Sequence, residues 1–231
     1  MINLIPYIDL TSLNDTDNDQ SISVLCEKAF TPKGNVAAVC IYSQFIALAK
    51  DLLEDKITLA TVCNFPTGNQ SIEDTCDHIE NALAQGANEI DVVLPYEKLL
   101  AGDTFYVKEF LQACRDSTKD NVLKVIIESG ELKTTKNITT ASELAIDAGA
   151  NFVKTSTGKT EHGASLDAAT SILNVIKHHP STGIKISGGV RTIKTADEYY
   201  HLIADTMGED WITPMTFRIG ASGLLDKLLL L

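Results

Sequence analysis

Short runs rich in valine, isoleucine and threonine alternate with longer segments of helical spacing, and this alternation constrains the fold more than any other feature of the chain. The runs lie near Pro6 to Leu10, Val36 to Ile41, Ile57 to Asn64, Glu89 to Leu94, Val122 to Glu128, Phe152 to Thr155, Gly183 to Ser187 and Thr216 to Gly220. Strand and helix taken in turn read as repeated βα units on a parallel sheet. Eight units, with a final helix after the last run, make a closed (β/α)8 barrel and not an open doubly wound sheet. A chain of 231 residues suits one such barrel, a single domain over 1–231.

The helical segments carry their own punctuation. Asn69 to Gly86 opens on polar residues, places Ile72, Cys76, Ile79 and Leu83 at helical spacing, and ends where a glycine stops a helix. Ser142 to Gly149 ends in the same way before the sixth run. The identical links Gly-Ala-Asn at 86–88 and 149–151 each lead into a strand, a faint echo of a repeating unit.

Charged and polar residues interrupt the apolar runs at similar intervals. Asp9, Cys40, Asp91, Lys124, Lys154 and Lys185 fall in strands one, two, four, five, six and seven, the last four separated by 33, 30 and 31 residues. Equal phase in successive units predicts similar height in the barrel. Alternation along each strand puts Asp91 with Val93, Lys124 with Ile126, and Lys185 with Ser187 on one face. If those faces point inward, three lysines and two aspartates meet near the C-terminal mouth. Burying them costs several kcal/mol for each unpaired charge, so the cluster implies either a function or a satisfied ion-pair network.

Lys154 sits at the centre of this pattern, in Phe152-Val-Lys-Thr-Ser-Thr-Gly-Lys159. A lysine attacks carbonyls only when neutral, and both desolvation and a neighbouring ammonium favour the neutral form. Lys185, one strand away, is such a neighbour, and Asp91 can move the protons that imine formation requires. The spacing therefore points to Schiff-base catalysis. The loops Ser187-Gly-Gly-Val-Arg191 and Gly220-Ala-Ser-Gly223, after strands seven and eight, free backbone N–H groups for an anion, and barrels commonly hold phosphate there.

Composition excludes other classes. A formal net charge of −12 without a basic run argues against nucleic-acid binding. Met1 to Leu10 lacks the basic start and apolar stretch of a signal peptide, and Leu224 to Leu231 is too short for a membrane span, so a cytoplasmic location is expected. Five cysteines without a C-x-x-C pair, and histidines without an H-E-x-x-H pattern, indicate free thiols and no metal site.

The chain resembles the deoxyribose-phosphate aldolases almost end to end. The resemblance is carried by Ile8-Asp-Leu-Thr11, Ala38-Val-Cys-Ile-Tyr42, Asn64-Phe-Pro-Thr-Gly68, Glu89-Ile-Asp-Val-Val-Leu-Pro-Tyr96 and Leu123-Lys-Val-Ile-Ile-Glu-Ser-Gly-Glu-Leu132. Phe152 to Lys159, Gly183-Ile-Lys-Ile-Ser-Gly-Gly-Val-Arg-Thr192 and Arg218-Ile-Gly-Ala-Ser222 complete it. It implies reversible cleavage of 2-deoxy-D-ribose 5-phosphate to D-glyceraldehyde 3-phosphate and acetaldehyde without a cofactor or metal, in deoxyribose phosphate catabolism. By it Lys154 is the Schiff-base lysine, Asp91 a proton donor and acceptor, and Lys185 the lysine that perturbs Lys154 and shares in proton transfer. Lys159, Gly188, Gly189, Gly220 and Ser222 fall on phosphate-binding positions, and Asp9, Thr11, Cys40 and Lys124 on pocket-lining ones. Expected partners are phosphosugar and aldehyde substrates, with no nucleic acid and no membrane, and a homodimer is allowed. Gly223 stands where many members have a second serine, and the tail ending in tyrosine that some members use for proton transfer has no counterpart among residues 1–231, so by the resemblance that step is expected to have another source.

Two other readings remain open on the residues alone. One is a different Schiff-base barrel lyase, such as a transaldolase-like enzyme; the other is a phosphosugar-binding barrel without chemistry. A pure binder has no use for an amine kept neutral beside an ammonium.

Overall fold

Branched residues fill the strand positions that face the helices, and this gives each run its strand. The computed structural model describes residues 2–231; Met1, part of the chain start read above for a signal peptide and of the 1–231 domain, lies outside them. The strands are β1 (Ile8–Thr11), β2 (Ala38–Ile41), β3 (Thr58–Cys63), β4 (Glu89–Val93), β5 (Val122–Ile126), β6 (Phe152–Lys154), β7 (Gly183–Ser187) and β8 (Phe217–Ala221). They pair in parallel in sequence order, and β8 closes on β1. The architecture is a (β/α)8 barrel, as the alternation predicted.

The helices that return the chain to the bottom of the barrel are α1 (Asp19–Ala29), α2 (Ile46–Leu53) and α3 (Ile72–Gln85) after the first three strands. The short α4 (Tyr96–Leu100) precedes α5 (Thr104–Thr118), and the short α6 (Ser129–Leu132) precedes α7 (Thr135–Asp147). Then come α8 (Leu166–Ile176), α9 (Ile193–Met207) and α10 (Leu224–Leu229). Ser71 caps α3 through the Asp74 amide, and Gly86, with φ 114°, ends it where expected. The first strand starts two residues later than the pattern predicted, because Ile5–Tyr7, with Pro6 at its start, forms a 3-10 turn. Among the described residues no helix is long and apolar enough to cross a membrane.

The apolar core lies between strands and helices, where Val39, Val92, Val125, Val153, Ile184 and Ile219 pack outward from the barrel. The register shows which inward residues share a level. Asp91 pairs with Lys124, Lys154 with Lys185, and Lys185 with Arg218. Lys124, however, pairs with Phe152, and Lys154 stands opposite Ile126. Equal spacing along the chain thus means equal height across β4–β5 and β6–β7, while Lys154 stands two residues nearer the C-terminal mouth than Lys124.

Candidate active site

Lys124, Lys154 and Lys185 take inward positions because their branched neighbours Val125, Val153, Ile184 and Ile186 face the helix layer. All three meet Asp91. Lys154 Nζ donates to Asp91 Oδ2 at 2.6 Å, and Lys185 Nζ donates to the same oxygen at 2.6 Å. Lys124 Nζ donates to Asp91 Oδ1 at 2.8 Å and lies 2.5 Å from Glu89 Oε2. Lys185 also stands 2.6 Å from Asp9 Oδ2, a charge contact outside hydrogen-bond geometry. Arg218 completes the network, with Nη1 2.6 Å from Asp9 Oδ1, Nη2 3.0 Å from Glu89 Oε1, and its guanidinium 5.5 Å from the centre of the Phe152 ring.

The network joins four bases to three acids, so with every acid ionised it is electroneutral only if one base gives up its proton. Burial singles out Lys154. Desolvation pushes its pKa below the ordinary lysine value, Asp91 opposes this, and Lys185 adds to it as a like charge. The other two amines move the opposite way. Burial disfavours the Lys185 ammonium, but Asp9 and Asp91 outweigh that and raise its pKa; Asp91 and Glu89 do the same for Lys124. Burial would raise the Asp91 and Asp9 carboxyls, yet the surrounding cations hold both below the usual carboxylate range.

Above the network a cleft of about 230 Å³ opens on the C-terminal face, with Lys154 at its floor. Of the residues read from the sequence, Thr11, Lys154, Lys159, Gly188, Gly189, Gly220 and Ser222 line it. Lys159 reaches across from the loop after β6 to donate to the carbonyl oxygen of Leu13 in the loop after β1. Gly188 and Gly189 both have left-handed backbone, φ 85° and 90°, which turns the chain sharply at the top of β7. A side chain on Gly188 would press on Gly163 and Ser156, whereas Gly189 has open space beside it.

Asp9, Cys40 and Lys124, expected in the pocket wall, are instead fully buried beneath it. For the two charged residues the reason is the network, which draws their polar ends away from the mouth. Cys40 packs with Leu13, Ala38, Ala60 and Val62, and burial raises its thiol pKa. Asp91 and Lys185 are also fully buried and reach the cleft only through Lys154.

Four residues near the site were missed. Arg218 follows Lys185 by 33 residues, the interval already seen, and Glu89 precedes Asp91 by two on the same face, so both had a signal. Glu128 and Thr157 had no signal in the periodicity, although both lie in stretches that carry the family resemblance. Glu128, with φ 51°, accepts from the Thr157 amide and hydroxyl across two loops, and burial raises its carboxyl pKa against those bonds. Among the described residues no group of three or more histidine, cysteine, aspartate or glutamate side chains could hold a metal ion.

A closed β/α barrel whose polar cleft lies over a buried lysine at the C-terminal face defines a barrel enzyme. The chain belongs to the DeoC/LacD family of aldolases, whose model matches residues 3–224. It is therefore an aldolase, a lyase acting on small molecules. A solved structure of a deoxyribose phosphate aldolase from Aeropyrum pernix, described as tetrameric, is 25% identical with a TM-score of 0.78, covering 98% of this chain and 89% of that one. A Coccidioides immitis protein assigned as a deoxyribose-phosphate aldolase is 28% identical with a TM-score of 0.86, covering 97% and 85%. An aldolase named QR15 is 27% identical with a TM-score of 0.84, covering 99% and 97%.

Proposed function

We propose that the enzyme reversibly cleaves 2-deoxy-D-ribose 5-phosphate to D-glyceraldehyde 3-phosphate and acetaldehyde through an imine on Lys154. The observation that carries this reading is the buried Lys154 amine at the cleft floor, held by Asp91 and pushed toward its neutral form. The neutral amine adds to C1 of the open-chain sugar, and loss of water gives an iminium. The C2–C3 bond then breaks with its electron pair entering the iminium, the C3 hydroxyl loses its proton, and D-glyceraldehyde 3-phosphate leaves. Protonation of the remaining enamine at C2 and hydrolysis release acetaldehyde and restore the amine.

Asp91 Oδ2 touches both amines, so a proton moving between the Lys154 nitrogen and Lys185 crosses one carboxylate oxygen. With its pKa raised, Lys185 acts first as a fixed positive charge and only in relay with Asp91 as a proton carrier. The phosphate would sit against the loops after β7 and β8, at Gly188, Gly189 and Ser222, with the Lys159 ammonium turning to it from the Leu13 carbonyl. A homodimer and a cytoplasmic location belong to the same proposal.

Borohydride reduction in the presence of acetaldehyde, followed by peptide mapping, tests the chemistry. An ethyl group on Lys154 is expected. Modification chiefly at Lys124 or Lys185, or none at all, overturns it.

A further inference from the structure

We infer that the Ser187 hydroxyl determines specificity by binding the hydroxyl that the acceptor aldehyde carries, the C4 hydroxyl of the cleaved sugar. This rests on the imine and phosphate placements proposed above. Ser187 is 5% exposed, faces inward from the end of β7, and lines the cleft. Its backbone is fully engaged. The Ser187 amide donates to Thr155 Oγ1 at 2.9 Å, and the Thr155 hydroxyl donates to the Ser187 carbonyl at 3.0 Å. Ser187 Oγ, by contrast, finds no hydrogen-bond partner among the described residues. A buried hydroxyl left this way destabilises the fold, so its retention points to a ligand that satisfies it.

The neighbouring strand keeps that hydroxyl open. Gly220 of β8 pairs with Ser187, and a Cβ there would collide with Ser187 Oγ and stand 3.3 Å from Lys185 Cε. Any other residue at 220 would cover the hydroxyl and crowd the lysine stem beneath it.

Position along the barrel selects the substrate atom. Ser187 lies two residues above Lys185, whose level Lys154 shares, and directly before Gly188 and Gly189. That is roughly 7 Å further along the strand at the usual rise, and about 5 Å nearer the mouth once the strand tilt is counted. A sugar joined at C1 to Lys154 and held at its phosphate by the glycine loop passes Ser187 with the carbon next to the phosphate-bearing one. Its hydroxyl, at C4, can both donate to and accept from Ser187 Oγ.

The test is a comparison of acceptors in the synthetic direction, with acetaldehyde as donor. D-glyceraldehyde 3-phosphate is set against 3-oxopropyl phosphate, which has the same chain without the hydroxyl, in the parent enzyme and in Ser187→Ala. The parent should prefer the hydroxylated acceptor, and the variant should lose roughly 10-fold in kcat/KM with it while changing little with the other. A merely structural role would lower both alike, and equal losses overturn the inference. Should Ser187→Ala fail to fold, Ser187→Cys, close in size and a weak hydrogen-bonding group, gives the same comparison with the same two outcomes. A parent enzyme inert toward acetaldehyde and D-glyceraldehyde 3-phosphate would instead defeat the proposed reaction, and this inference with it.

Discussion

The two sides of the barrel interior are built from opposite materials. On β2 and β3 the inward positions beyond Thr58 at the foot of β3 are Ala38, Cys40, Ala60 and Val62, small and apolar. From β4 round to β1 they include Glu89, Asp91, Lys124, Lys154, Lys185, Arg218 and Asp9, long and charged. Lysine and arginine stems span the distance from wall to axis, so the charged side fills volume that branched residues occupy in other barrels. The small side gives those stems room. It also offers the charges no polar partner of its own, and the base pushed toward its neutral form is the one that opens on the cleft, Lys154. Reactivity at the floor thus follows from how the rest of the interior is balanced.

The sharpest way to break this comparison is to remove the amines one at a time. Lys154→Leu removes the nucleophile and should lower activity by on the order of 10⁴-fold or more, with no recovery at any pH. Lys185→Leu should cost about 10²- to 10³-fold at neutral pH and behave differently as pH rises. A like charge disfavours protonation of its neighbour, so without Lys185 the Lys154 pKa rises and less neutral amine remains. Raising the pH then restores part of the rate. A pH–rate profile of each folded variant decides the matter: an unchanged profile in Lys185→Leu means that the two lysines are not coupled.

Arg218→Met should leave KM little changed, because Arg218 lies outside the cleft wall. By removing the surplus base it should leave Lys154 charged at neutral pH and lower kcat, but its larger effect is on stability. It strips a partner from Asp9 and Glu89, and breaking such a buried pair costs about 3–5 kcal/mol, a fall in Tm on the order of 10 °C for a chain of this size. Burial opposes ionisation of Asp9, but Lys185, Arg218 and Lys124 hold its pKa below the unfolded value. Its contribution is therefore present above about pH 4 and lost as pH falls below that. The variant should lose stability chiefly above that range and unfold at a higher pH on acidification, while the gap to the parent narrows at lower pH. A raised KM with unchanged Tm would place Arg218 in substrate binding instead.

Much of this was legible in the chain because charge inside an apolar run is a strong signal. Asp91, Lys124, Lys154 and Lys185 interrupt their strands, and the barrel brings them to one carboxylate. The relative height of Lys124 and Lys154 was not legible, since it depends on how β5 registers against β6 and the register is set by packing around the barrel. Glu128 and Thr157 escaped for a related reason: they meet across two loops whose conformation no periodicity describes. Gly220 carried a signal that read two ways. The sequence placed it in an anion loop, and the structure adds that its missing side chain clears space for Ser187.

The smallest effect belongs to the apolar side and concerns Cys40. As a residue facing the pocket it would be a thiol open to unsaturated aldehydes, but it is fully buried, and burial pushes its thiol above the ordinary pKa so that little thiolate forms. Cys40→Ala should therefore keep aldol cleavage within about twofold and cost about 1 kcal/mol through the small cavity it leaves. It should also do little to slow inactivation by an unsaturated aldehyde. Cys76 is partly exposed on α3 and should be alkylated first, and mass spectrometry of the treated enzyme can order the two. Modification of Cys40 ahead of Cys76, in step with loss of activity, would mean that the β2–β3 side opens to the cleft in solution and is not the closed packing surface that the lysines lean against.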